Sequence, residues 1–130
     1  MRAAKIYLII MGIMSVLFGV IYLINPLSMT APMGFGDLAP SALTDVRATY
    51  GGFQIGTGLF MFYCLKPARI KMGLLLVLLS AAAITLSRLY GFVVDGDITP
   101  VLKGTIAFEI TLTVISLIFW LRTPEPAAGA

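Results

Sequence analysis

The chain has no histidine and only one cysteine, Cys64, among its 130 residues. Catalytic triads of the Ser-His-Asp or Cys-His type need histidine, and so do many zinc sites. One cysteine cannot form an internal disulfide, and no CxxC pair is present that could hold zinc or an iron–sulfur cluster. The sequence therefore predicts no metal, no cofactor and no residue of a common catalytic constellation.

Charged residues are also scarce. They make up 12% of the chain, whereas an average soluble domain carries about 25%. Hydrophobic residues account for 59%, and a small soluble domain exposes too much of its surface to bury so many. The net charge of +3 is low, and no phosphate-binding glycine motif is present, so we expect no nucleic-acid or nucleotide partner. This composition indicates a membrane protein.

Four apolar stretches are separated by turn and charge signals, and each is close to the ~20 residues that cross a ~30 Å hydrocarbon core. Lipid-exposed backbone must satisfy its own hydrogen bonds, which favours helices. Gly91 is expected to cap the third helix, and Thr99 with Pro100 to begin the fourth. The predicted fold class is all-α, a transmembrane antiparallel four-helix bundle in residues 1–122, followed by a flexible cytoplasmic tail in 123–130. The predicted spans cover residues 6–24, 46–65, 70–90 and 100–121.

Lysine and arginine are unevenly distributed between the two predicted sides of the membrane. Six lie at the N-terminus, between spans two and three, or after span four: Arg2, Lys5, Lys66, Arg69, Lys71 and Arg122. The other side carries Arg47, Arg88 and Lys103 with five of the six acidic residues, Asp37, Asp45, Asp95, Asp97 and Glu109. Because positive residues favour the cytoplasmic side, we expect a multi-pass protein with both termini in the cytoplasm.

Small residues follow two of the predicted spans at helical spacing. Ala48, Gly52 and Gly56 lie four residues apart on span two, and Gly12 and Gly19 lie on one stripe of span one. Small residues let helix backbones approach each other in lipid. We expect these positions to pack helices within the bundle, while homodimerisation through the same motif stays open. The aromatic residues Tyr22 and Trp120 are interpreted as interfacial anchors.

The polar residues inside the spans are the candidates for a site. With a rise of 1.5 Å per residue, Glu109 lies about 18 Å and Arg88 about 24 Å above the cytoplasmic edge. Side chains lean toward the N-terminus of their helix, so in antiparallel spans these two lean toward each other. The sequence therefore predicts an ion pair. Arg47, Tyr50 and Gln54 share a stripe of span two and are expected close to it.

Two interpretations of this cluster stay open. Either the pair is structural and fixes the register of the helices, or the cluster lines a pocket for a ligand. In the second case we expect a lipid or other amphipathic molecule in an outer-leaflet polar pocket, or an accessory role in a membrane complex. The expected partners are then membrane lipids, another membrane protein or a second copy of the chain. The alternative is a small integral-membrane enzyme that uses Glu109 with Arg47 and Arg88.

The segments DVRATYGGFQIGTGLFMF (45–62), SRLYGFVVDG (87–96) and FEITLTVISL (108–117) resemble a bacterial family of small four-span proteins, domain of unknown function 4345. The resemblance covers roughly residues 5–121. It implies four helices and a bacterial inner membrane, and it brings no established activity and no residue roles. In size and number of spans the chain is also similar to DoxX-like proteins, some of which are small subunits of membrane oxidoreductases.

Overall fold

The computed structural model describes residues 1–96 and 99–125, and all regular structure in these residues is helical. The all-α prediction is therefore confirmed for the described part of the chain. Three short 3₁₀ or π-helical segments lie between the α-helices. In chain order the elements are α1 (Arg2–Ile24), α2 (Pro26–Thr30), a 3₁₀ turn (Ala31–Met33), α3 (Pro40–Val46), a π-helical segment (Arg47–Gly52), α4 (Phe53–Tyr63), a 3₁₀ turn (Pro67–Arg69), α5 (Ile70–Asp95) and α6 (Pro100–Arg122).

Three helices are long and apolar enough to cross a membrane, namely Arg2–Ile24, Pro67–Asp95 and Pro100–Arg122. At most 33% of the most apolar part of each helix is buried inside the protein. Large apolar side chains therefore point outward along all three helices. A water-soluble bundle would bury such surfaces, so this arrangement supports a membrane protein.

The second predicted span, 46–65, is divided. The helical path runs without a break from α3 through the π-helical segment into α4, but α4 itself has only 11 residues. The N–H of Phe53 donates to the carbonyl of Ala48, five residues earlier, which is the hydrogen bond of a π-helix. Apolar composition cannot reveal such a local change of helical pitch, because it alters hydrogen bonding and leaves hydropathy unchanged.

Two predicted helix ends have different outcomes. The side chain of Thr99 accepts a hydrogen bond from the N–H of Leu102 at 3.3 Å, so α6 begins at the predicted cap. The prediction that Gly91 ends the third helix is wrong. Helix α5 continues to Asp95 and ends at Gly96, whose φ of 72° is the left-handed conformation that glycine favours. Gly91 is followed by Phe92 and two valines, which extend the apolar helix by another turn.

The predicted flexible tail is described only at its beginning. Thr123 is buried and caps α6, with its N–H and its hydroxyl both donating to the carbonyl of Phe119. Glu125 forms an ion pair with Lys71 of α5. The rest of the predicted tail, 126–130, and the charged residue Asp97 lie outside the described residues.

The helices pack as two antiparallel pairs. Helix α1 packs against the path from α3 to α4, and α5 packs against α6. A buried apolar cluster joins the two pairs near the start of α1, and Tyr7 stacks on Phe119 of α6 with ring centroids 4.9 Å apart. The cluster consists of Ala4, Leu8, Met61, Ile70, Leu74 and Val77. The core is therefore apolar at the end where α1 begins. The candidate site residues lie toward the opposite end of the molecule.

Candidate functional site

The predicted ion pair between Arg88 of α5 and Glu109 of α6 is present. The Nε–H of Arg88 donates to both carboxylate oxygens of Glu109, at 2.8 Å to Oε1 and 3.0 Å to Oε2. The side chain of Arg88 is 28% exposed and that of Glu109 is 11% exposed. The Coulomb attraction in an ion pair with little access to solvent is screened less than in a surface pair, and each charge depends on the other for compensation.

An aromatic pair links α1 to Tyr50 near the end of α1. Tyr22 of α1 is 8% exposed, and its ring stacks on that of Tyr50 with centroids 5.3 Å apart. Tyr22 therefore links the last turns of α1 to the π-helical segment that carries Tyr50. Sequence reasoning assigned it only to the interface, although its spacing from Ser15 and Gly19 places it on the stripe of α1 that packs inward.

The π-helical segment brings Arg47 to the same end of the molecule. The Nε–H of Arg47 donates to the carbonyl of Leu23 at 3.1 Å, one residue beyond Tyr22. Tyr50 belongs to the same segment. π-helical turns are rare and occur frequently at functional sites, because they redirect side chains within an otherwise regular helix. Here the segment presents a guanidinium and an aromatic ring toward the end of α1.

Gln54 has a different partner from the one predicted. The hydroxyl of Ser15 donates to the side-chain oxygen of Gln54 at 2.8 Å and to its carbonyl at 2.9 Å. Ser15 lies about two helical turns from Tyr22, roughly 10 Å along α1. The structure thus brings Arg47, Tyr50 and the ion pair toward one end and places Gln54 in the interface between α1 and α4.

The small residues predicted to pack have divided outcomes. Gly12 and Gly19 are buried in the interface between α1 and α4, where a Cβ at Gly19 would lie 2.7 Å from the carbonyl oxygen of Gly51. The prediction for Gly52 and Gly56 is wrong. Both are exposed, a Cβ at either would meet no atom within 4 Å, and Ala48 is exposed as well. The interface instead uses Gly51 and Gly58.

The rotation of the second predicted span about its own axis decides which of its glycines face α1. Gly58 meets the backbone of α1 at Gly12 and Val16, and Gly51 meets it at Gly19 and Leu23. The spacing of Gly51 and Gly58 is seven residues, which is two turns of one face. The motif of Ala48, Gly52 and Gly56 follows a neighbouring face, so its small side chains point away from α1.

An open groove of about 180 Å³ adjoins the ion pair. It is lined by Arg88, Gly91, Phe92 and Asp95 of α5 and by Leu102 of α6. Arg88 makes no hydrogen bond to the described residues apart from those of its Nε–H, and none of its nitrogen atoms is buried without a partner. Its two terminal amino groups thus make no hydrogen bond to the described residues.

The chemistry of the site is that of recognition by hydrogen bonds and charge. Guanidinium groups bind phosphate and carboxylate oxygens well, because they present several donors in a fixed plane. In residues 1–96 and 99–125, no three His, Cys, Asp or Glu side chains lie together in a way that could hold a metal ion. The groove combines one guanidinium, one carboxylate and an apolar wall.

Comparison with known proteins agrees with the resemblance found in the sequence. No curated protein and no solved structure matches the chain. The family described as Domain of unknown function (DUF4345) matches residues 3–121, which include every helix from α2 to α5 and almost all of α1 and α6. The chain therefore belongs to the DUF4345 family.

Proposed function

We propose that this protein is a small integral membrane protein that binds a lipid or other amphipathic molecule at the groove beside Arg88. The observation that carries the proposal is the hydrogen bonding of Arg88. Its Nε–H is held by Glu109, while Arg88 lines the groove and its terminal amino groups make no hydrogen bond to the described residues. A positioned guanidinium with free donors, next to apolar surface, matches a polar headgroup attached to an apolar chain.

The charges of the groove favour a particular class of headgroup. Asp95 lines the same groove as Arg88, with Phe92 and Leu102 as its apolar wall. A headgroup that carries both a phosphate and an ammonium group satisfies both charges, whereas a purely anionic headgroup meets repulsion from Asp95. We therefore propose a zwitterionic phospholipid, such as phosphatidylethanolamine, as the preferred occupant.

The membrane arrangement that accompanies this proposal is an antiparallel four-helix bundle with both termini in the cytoplasm of a bacterial inner membrane. The continuous helical path from Pro40 to Tyr63 is roughly 35 Å long, enough to serve as the additional span. The basic residues concentrate at the end where α1 begins and α6 ends, as the positive-inside rule requires for this orientation. The groove beside Arg88 then belongs to the outer leaflet.

An enzymatic role for Glu109 has less support from the geometry. Both of its carboxylate oxygens accept hydrogen bonds from Arg88, and the residue is 8% exposed. A general acid or base must reach the proton that it transfers, so a substrate would first have to separate the pair. Binding at the free amino groups of Arg88 leaves the pair intact.

Native mass spectrometry of the protein extracted with its membrane lipids tests the proposed function. We expect the wild type to retain phosphatidylethanolamine in preference to phosphatidylglycerol. Leu102→Trp should reduce this retention about tenfold, because the larger side chain fills the groove from α6 and leaves the ion pair in place.

The matched control is Ile118→Trp, which adds the same side chain to an exposed position of the same helix that does not line the groove. It should retain lipid like the wild type. Equal retention by the wild type and by Leu102→Trp would contradict the proposal. Fusion of topology reporters to the C-terminus and to the segment around Gly36 tests the orientation, and a C-terminus outside the cytoplasm would contradict it.

A further inference from the structure

We infer a second lipid site at the opposite end of the molecule, in a groove between the beginning of α5 and the end of α6, which selects an anionic phospholipid. The groove has a volume of about 260 Å³ and is open to the surroundings. Ala68, Met72 and Leu75 provide an apolar surface, and Lys71, Trp120 and Glu125 provide the polar groups. The site shares no residue with the groove beside Arg88, so the two proposals stand or fall separately.

Lys71 and Trp120 are arranged as a headgroup site requires. The Lys71 ammonium lies 5.1 Å from the centroid of the Trp120 ring, and the Lys71 side chain is only 17% exposed. The aliphatic part of Lys71 is thus covered by protein while its charge lies over the indole face. A tryptophan at the end of an apolar helix favours the headgroup level of a membrane, so this ammonium is held where phosphate groups occur.

The surrounding charge favours an anion. Six of the nine basic residues lie at this end, and Glu125 is the one acidic residue there in the described part of the chain. Clustered lysine and arginine side chains at the end of transmembrane helices attract acidic lipids, and basic pockets between such helices bind acidic headgroups. Here the concentration of positive charge surrounds a groove that also has an apolar floor.

Glu125 occupies the position of the ligand's acidic group. Its carboxylate accepts a hydrogen bond from the Lys71 ammonium, yet its own side chain is 77% exposed. An ion pair with one partner so exposed is weak and exchanges readily. A phosphate bears the same charge, has more acceptor oxygens, and brings acyl chains that can cover Met72 and Leu75. We therefore expect an anionic phospholipid to displace Glu125 from Lys71.

Trp120 is the one tryptophan of the chain, so its fluorescence reports on this groove alone. The full chain is reconstituted into phosphatidylcholine vesicles that contain brominated phosphatidylglycerol or brominated phosphatidylcholine, in which the bromine atoms quench nearby indole. We expect the relative association constant at Trp120 to favour phosphatidylglycerol about fivefold, the effect of one basic residue near an acidic headgroup. Equal quenching by the two lipids would overturn the inference.

Two variants at the groove should move this preference in opposite directions. Lys71→Gln should abolish the preference for phosphatidylglycerol, so that the ratio of the two association constants is about one. Glu125→Gln should increase this ratio, because the competing carboxylate is gone. Lys66→Gln removes the same charge at the same end from a residue that does not line the groove, so it should retain the preference. If Lys66→Gln reduces it as much as Lys71→Gln, diffuse attraction explains the effect and the site is refuted.

A soluble phosphate could use the same ammonium, so glycerol 3-phosphate is added at millimolar concentration as a competitor. We expect no change in quenching, because this molecule cannot cover the apolar floor of the groove. Displacement of the brominated lipid by glycerol 3-phosphate would show that the groove binds a soluble phosphate, and the lipid inference would be overturned.

Discussion

The two helix pairs of this protein are held together by different means. Helix α1 meets the path from α3 to α4 through glycines whose backbones nearly touch, and a Cβ at Gly58 would lie 2.8 Å from the carbonyl oxygen of Gly12. Helices α5 and α6 share an ion pair, and a Cβ at Gly104, the one glycine of α6, would meet no atom within 4 Å. Close backbone approach thus joins α1 to the path from α3 to α4, whereas an ion pair joins α5 to α6.

This difference shows two ways to associate helices where lipid removes the hydrophobic driving force. Close backbone approach gains dispersion contacts along a whole face, and it tolerates no added volume. An ion pair gains its energy at one point, and it depends on charge compensation more than on shape. The two interfaces should therefore respond to different substitutions, and the following predictions use that contrast.

The largest expected effect is at the glycine interface. Gly19→Leu should reduce the free energy of unfolding by about 3 kcal/mol, because the new side chain meets backbone atoms that cannot move aside. Gly52→Leu is the matched control, since a Cβ there meets no atom within 4 Å and the substitution should change stability little. Thermal unfolding in detergent measures both. Equal destabilisation would mean that close approach at Gly19 does not distinguish the two faces.

The next effect belongs to the ion pair. Arg88→Met and Glu109→Gln should each cost about 2 kcal/mol, less than a fully buried pair because Arg88 is 28% exposed. The double substitution should recover part of that loss, since no uncompensated charge remains. The same unfolding measurement gives the coupling free energy of the double-mutant cycle. Purely additive losses would show that the two side chains do not stabilise each other.

The smallest effect concerns the polar contact inside the glycine interface. Ser15→Ala removes both hydrogen bonds to Gln54 and should cost about 1 kcal/mol, the usual range for such bonds between helices in lipid. Thr111→Val is the control, because the Thr111 hydroxyl bonds only to Ala107 in its own helix. If Ser15→Ala costs as much as Gly19→Leu, hydrogen bonding rather than close approach would dominate this interface.

The ion pair was predictable and the position of Gln54 was not, for a geometric reason. In a helix, residue number determines depth, so Arg88 and Glu109 could be matched from their distance to the helix ends and from the lean of their side chains. Depth alone does not say which neighbouring helix a side chain faces. Gln54 shares a stripe with Arg47 and Tyr50, but the rotation of its helix directs it to Ser15.

The packing face of the second predicted span illustrates the same limit. Gly52 and Gly56 form a small-residue motif as regular as the one that packs, and the sequence offers no means to choose between faces. The π-helical segment from Arg47 to Gly52 also shifts the side chains on either side of it relative to one another. Only contact with α1 selects Gly51 and Gly58 as the packing face.

The sequence by itself determined that this chain is helical and apolar, where α6 begins, and which two charges pair across α5 and α6. Hydropathy, capping and helical rise are local properties, and they can be read along the chain. The tertiary structure decided which glycines touch, where Gln54 bonds, and that Tyr22 stacks on Tyr50. These features depend on the rotation of each helix about its axis, which is set when neighbouring helices pack.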